Sequence, residues 1–299
     1  MSARGTVVAG FDGSPESRRA VWWAATEAAS RKRPLQIVYA FTVPLEELVH
    51  IRLPSEALEL DTLRSTAEQE MATLVDECRR QLPQTDVSTE VQLGHPAQVL
   101  AGAAADGALL VLGAPTRSRM RRVLIGSTAA ELVRKSPVPL VLVRGDNAPA
   151  REHAGASQTH NVVLGVDGSR HSMRAIDFAL DFADRHGAQL KAILAWNELP
   201  TDAIAPASGW RLDWSDITNT CRRELAESIA GAAERYPALT IQQEVTTTQS
   251  PAEALLTAAE TADLLVVGTR GRGSVRATLL GSVSHAIVHY APCPVAVTR

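Results

Sequence analysis

Two stretches decide the fold. Thr6-Val7-Val8-Ala9-Gly10-Phe11-Asp12-Gly13-Ser14 opens the chain, and Asn161-Val162-Val163-Leu164-Gly165-Val166-Asp167-Gly168-Ser169 answers it 155 residues later. Each is a short apolar run closed by Asp-Gly-Ser. An apolar run of this length, bounded by turn residues, reads as a strand buried on both faces. After the first one, Ser14 is placed to cap a helix and Pro15 takes its first position.

The same shift brings the rest of the chain into register. Ser17, Arg19, Ala20, Leu35 and Ala40 fall on Ser172, Arg174, Ala175, Leu190 and Ala195. Pro96-Ala97 falls on Pro251-Ala252, Leu109-Leu110-Val111 on Leu264-Leu265-Val266, and Gly113, Gly126 and Ser127 on Gly268, Gly281 and Ser282. Pro137 and Pro139 fall on Pro292 and Pro294. The chain of 299 residues is therefore two copies of one unit, each large enough to own a core. We place the units at 1–144 and 161–299, with 145–160, rich in Ala, Gly, Asn, Ser and His, as linker.

Within each copy the apolar pattern alternates between two periods. Strands are expected at 7–11, 36–41, 88–93, 109–113 and 140–143, and again at 162–166, 191–196, 242–247, 264–268 and 295–298. Helices are expected from Pro15 to about Arg31, over 55–81 and 96–106, and from Ser127 onward. Strands that are apolar nearly throughout, alternating with helices, imply a parallel sheet covered on both faces. The fold class is α/β: two tandem doubly wound domains, each a five-stranded parallel sheet with helices on both faces.

Composition narrows the function. Apolar residues make up 45% and charged residues 21%, so wholesale disorder is excluded. A net charge of −3 gives no ground for a nucleic-acid or membrane-surface binder. The three cysteines, Cys78, Cys221 and Cys293, lie far apart, which suits a reducing compartment. With no apolar stretch near the ~20 residues of a membrane helix and no signal peptide, a cytoplasmic location is expected.

In doubly wound sheets, ligands bind beyond the carboxyl ends of the strands, where the strand order reverses. Asp12 and Asp167 follow the first strand of each copy, and Gly113 and Gly268 end the fourth. After Gly268 comes Thr269-Arg270-Gly271-Arg272-Gly273, then Gly281-Ser282-Val283-Ser284 at a helix start. Glycines admit a ligand close to the backbone, and the free amides of a helix N-terminus attract anions. The spacing is G-x-x-G, nine residues, then G-S.

This pattern, with Asp-Gly-Ser after the first strand and Pro-x-Pro before the last, resembles the nucleotide-binding motif of the universal stress protein family. The resemblance covers essentially the whole chain as a tandem pair. It implies an ATP site, with or without Mg²⁺. In the second copy Gly165 and Asp167 would lie near ribose and adenine, and Ala195 would present backbone to the base. Val267, Gly268, Arg270, Gly271 and Gly273 would serve ribose and α-phosphate, and Gly281, Ser282, Val283 and Ser284 the distal phosphates. The first copy keeps Gly10, Asp12, Ala40, Gly113, Gly126, Ser127 and Thr128, but reads Gly113-Ala114-Pro115-Thr116 where the second has Gly268-Thr269-Arg270-Gly271. Thr116 adds a β-branched side chain, and Pro115 removes an amide donor. Arg117, Arg119, Arg121 and Arg122 either hold phosphate there or form a solvated basic face, the reading we favour. The first copy is expected to bind more weakly or differently.

Other constellations are weaker. His285 and His289 are spaced to share a metal, but no Cys or carboxylate nearby in sequence completes a site, so none is expected. Trp196, Trp210 and Trp214 read as core packing rather than a partner surface, and one of Trp22 and Trp23 is expected to face the sheet. Cys293 reads as a small buried residue. No nucleophile elbow, HxGH or SGGxDS signature is present. The leading reading is a non-catalytic, ATP-dependent stress or regulatory protein, homodimeric through its last strands and read by a protein partner. A slow ATPase or adenylyl-transfer enzyme and a nucleotide-free interaction module are the alternatives.

Overall fold

The computed structural model describes residues 5–42, 54–115, 125–144, 160–169, 172–197, 214–248, 250–269 and 280–299. The chain divides into two compact units, Met1–Ala154 and Gly155–Arg299. Unit one runs β1 (Val7–Phe11), α1 (Pro15–Arg31), β2 (Leu35–Phe41), α2 (Pro54–Gln81), β3 (Val87–Leu93), α3 (Pro96–Ala103), β4 (Leu109–Gly113), α4 (Ser127–Lys135) and β5 (Leu140–Val143). Its strands lie in the order β3-β2-β1-β4-β5, every neighbouring pair parallel.

Unit two runs β6 (Asn161–Val166), α5 (Ser172–Arg185), β7 (Gln189–Asn197), α6 (Trp214–Ser228), α7 (Ala232–Arg235), β8 (Ile241–Thr248), α8 (Pro251–Ala258), β9 (Leu264–Gly268), α9 (Ser282–Tyr290) and β10 (Val295–Thr298). The order is β8-β7-β6-β9-β10, again parallel throughout. This is the expected doubly wound sheet, twice.

Burial explains why the apolar runs become strands. Every residue of β1, β5 and β10 is buried, as are the first four of β4 and of β9. Right-handed crossovers put α1 and α2 on one face of the unit-one sheet and α3 and α4 on the other. Two contacts agree. The Arg18 guanidinium on α1 grips both carboxylate oxygens of Glu77 on α2 at 2.7 Å, and α3 packs on α4. Trp23 is buried on α1, whereas Trp22 is half-buried.

The boundaries depart from expectation in small ways. The third helix ends at Ala103, not 106, because Gly102 and Gly107 flank a turn closed by Ala105 N to Gly102 O and Gly107 N to Ala104 O. Strands β7 and β8 run beyond the expected limits at both ends, and α7 was not anticipated. The topology fixes where a ligand would sit. The order reverses between β1 and β4 in unit one, and between β6 and β9 in unit two.

Candidate functional site

At each reversal the first strand runs into the Asp-Gly-Ser turn. In unit one, Ser14 Oγ and Ser14 N donate to Asp12 Oδ1 at 2.5 and 3.0 Å. Ser17 N donates back to Ser14 Oγ at 3.1 Å, which caps α1. Burial pushes the Asp12 carboxyl up. The hydroxyls of Ser14 and Ser17 and the amides of Ser14 and Asp12 outweigh it, so the net shift is below the ordinary 3.8. In unit two, Asp167 Oδ1 takes Ser169 N at 3.0 Å, Ser169 Oγ at 2.8 Å and Ser172 Oγ at 2.6 Å. Gly13 and Gly168 stand at φ +81° and +71°, where a Cβ would be strained, so both turns require glycine.

Each carboxylate is thus held by serines at the start of the next helix; Asp12 is exposed and Asp167 half-buried. Over the unit-one turn, Glu70 of α2 reaches within 3.3 Å of where a Cβ on Gly13 would stand. Burial, then the charges of Glu70 and Asp12, raise the Tyr39 phenol above its ordinary 10.0.

Glycines Gly10, Gly165 and Gly113 serve packing first. A Cβ on Gly10 would meet Leu112 Cδ2 at 2.6 Å, and one on Gly165 would meet Leu255 Cδ1 at 2.9 Å and Val267 Cγ1 at 3.2 Å. A Cβ on Gly113 would fall 2.5–2.6 Å from the backbone of Glu16 and Ser17, where the first turn of α1 rests on the end of β4. Val267 is buried. Ala40 and Ala195 stand half-buried near the carboxyl ends of β2 and β7, paired with Gln92 and Thr246.

The fourth strand leads to the second half of the site. Gly126 and Gly281 are the N-caps of α4 and α9, both in extended backbone and without a capping side chain. Ala130 N and His285 N make the first bonds to the cap carbonyls, at 2.9 and 2.8 Å. The amides of Ser127, Thr128 and Ala129, and of Ser282, Val283 and Ser284, precede that bond. A helix start leaves such amides for an anion. In unit two the helix start is also tied to the strand end: Gly281 N donates to Thr269 O at 3.0 Å and Ser284 Oγ to Gly268 O at 2.6 Å. The Ser284 hydroxyl, expected at the distal phosphates, spends its proton on a carbonyl.

The family profile of universal stress proteins matches residues 4–144 and again 158–299. The chain belongs to the universal stress protein family. A universal stress protein of Mycobacterium tuberculosis is 33% identical over 297 residues, which span 98% of this chain and 96% of the relative. One of Mycolicibacterium smegmatis is also 33% identical, over 296 residues and the same shares. Among solved structures, a universal stress protein from Archaeoglobus fulgidus superposes with a TM-score of 0.68 at 19% identity, covering 98% of either chain, a likeness of fold.

In both universal stress protein units the glycine-rich loop lies outside the described residues, and with it Thr116 and Arg117, and Arg270, Gly271 and Gly273. Trp210 and the Trp214 side chain lie outside them too, while Trp196 is half-buried. The His285 and His289 rings lie 4.5 Å apart on α9; among the described residues no group of three or more His, Cys, Asp or Glu could hold a metal. Cys293 is buried, its Sγ donating to Pro294 O. Among the described residues no helix is long and apolar enough to cross a membrane.

Proposed function

We propose that the chain is a non-catalytic regulatory protein whose second unit holds an adenine nucleotide, ATP with or without Mg²⁺. The observation that carries this reading is the pairing at one reversal point. The serine-held Asp167 turn stands at the end of β6, and the uncapped start of α9 is tied to the end of the adjacent β9. A carboxylate there suits sugar hydroxyls, and three successive amides suit a phosphate chain. In the resemblance, Ala195 faces the base, and Gly268, Arg270, Gly271 and Gly273 the ribose and first phosphate. Unit one, with Thr116 and Pro115 in its loop, binds more weakly.

Asp167 supports the non-catalytic side of the reading. Its Oδ1 is engaged by Ser169 and Ser172 in shaping the turn, whereas phosphoryl transfer needs a group to orient the attacking water. Nucleotide occupancy would bias an arrangement that a protein partner reads, in a cytoplasmic homodimer. The test is mass spectrometry of small molecules released when the purified protein is denatured, with thermal melts in added ATP. An adenine nucleotide, and about 2.7 kcal/mol of stabilisation at ~100 times the dissociation constant, are expected. No bound nucleotide and an unmoved melt would overturn nucleotide binding, and sustained phosphate release would overturn the non-catalytic part.

A further inference from the structure

We infer that Ser284 is a positioning residue, which locks the start of α9 against the end of β9, and not a phosphate ligand. The inference rests on the nucleotide reading of unit two and says how that site is kept in shape. Ser284 is buried, 6% exposed, and its hydroxyl lies 2.6 Å from Gly268 O. A phosphate oxygen accepts hydrogen bonds and cannot donate them, so a hydroxyl whose one proton is given to a carbonyl has nothing to offer it.

What the bond does is mechanical. Gly268 is the last residue of β9, Thr269 N continues the ladder to Thr298 O at 2.8 Å, and Gly281 N returns to Thr269 O at 3.0 Å. Ser284 Oγ adds a second tie one helical turn further along, on the adjacent carbonyl. Two ties from one helix turn to two successive strand carbonyls fix both the position and the rotation of α9, and with them the direction of the amides of Ser282 and Val283. Amides held in place before a ligand arrives bind it without an ordering cost.

Unit one is the built-in control. Ala129 stands at the position of Ser284 and has no hydroxyl, and among the described residues no bond from Gly126 N to Ala114 O matches the one from Gly281 N to Thr269 O. The strand-end bond itself survives there, as Ala114 N to Val143 O at 2.9 Å. Among the described residues, the two ties together distinguish unit two.

The test uses the full chain carrying Ser284→Ala, with two readouts. Amide hydrogen exchange of the nucleotide-free protein is expected to quicken at the first turn of α9, about three- to tenfold, the worth of one ordinary hydrogen bond. ATP titration is expected to lose affinity by a similar factor. Loss of affinity with exchange unchanged would make Ser284 a direct ligand and overturn the inference. Quickened exchange with affinity unchanged would leave it a purely structural bond, which also overturns it. Failure of the wild-type chain to bind ATP would strike the proposed function instead, because exchange without nucleotide still reads the latch. Should Ser284→Ala not fold, Ala129→Ser in unit one is expected to slow exchange at the start of α4, and unchanged or faster exchange there would count against the latch.

Discussion

The first helix of unit one and its counterpart in unit two solve the same packing problem with different chemistry. On α1, Glu27 is completely buried and its carboxylate pairs with Arg31 Nε at 2.5 Å, while Ser30 Oγ bonds Glu27 O and Oε2 at 2.9 and 3.3 Å. In unit two those positions are Phe182, on α5, and His186, just past its end, whose rings lie 4.2 Å apart. The two helices then end alike, in a left-handed residue, but unit one uses Lys32 at φ +52° where unit two uses Gly187 at +60°. The sheet order is indifferent to these exchanges. What the fold demands is a filled space at the helix–sheet contact. Whether an ion pair or a ring fills it is free to drift, whereas the Asp-Gly-Ser turns are the same in both.

The contrast can be broken most severely at the ion pair. Arg31→Leu takes this guanidinium from a buried carboxylate, and is expected to cost about 3 kcal/mol in urea unfolding. Copying unit two with Glu27→Phe and Arg31→His together is expected to recover most of it. A double variant as unstable as the single one would show that the site tolerates only the charged solution. Next come the packed glycines. Gly113→Ala drives a methyl into the backbone of Glu16 and Ser17 and is expected to cost about 2–3 kcal/mol; Gly165→Ala meets the movable ends of Leu255 and Val267 and should cost about 1 kcal/mol. Equal losses would mean that the first turn of α1 yields more readily than its contacts suggest.

Smaller effects sharpen the comparison at the helix ends. Ser14→Ala removes the cap of α1 and is expected to destabilise by about 1 kcal/mol. Lys32→Gly, which copies Gly187, relieves a left-handed side chain at some entropic cost and is expected to stabilise by about 0.5 kcal/mol. The smallest is acid sensitivity. Folding lowers the Asp12 carboxyl below 3.8, so its contribution is complete above that value and disappears as pH falls through the lower folded value. The stability difference between wild type and Asp12→Asn is therefore expected to shrink only below about pH 4. A difference that persists unchanged into stronger acid would show that the serine bonds do not favour the ionised form.

Most of this architecture was legible in the residues, for a physical reason. Strands buried on both faces must be apolar at every position, so runs such as Leu109–Gly113 and Leu264–Gly268 carry their own boundaries. The 155-residue repeat then fixed two units and placed Asp12, Asp167, Gly126 and Gly281 at strand and helix ends. Illegible were features set by what lies opposite in space. Glu27 reads as an exposed helix charge until its burial is seen, and Ser284 reads as one more phosphate-side hydroxyl until its proton is found on Gly268 O. Gly165 reads as a ligand seat, although Leu255 and Val267 already require it to lack a side chain. Local pattern carries periodicity and punctuation, but not the partner across a gap.

The account turns on nucleotide being held at the unit-two reversal more firmly than at the unit-one reversal. Calorimetric titration of ATP into the full chain, beside its Asp12→Ala and Asp167→Ala variants, tests that directly. The tighter binding event should vanish in Asp167→Ala and persist in Asp12→Ala. Loss of that event in Asp12→Ala with its survival in Asp167→Ala would contradict the assignment.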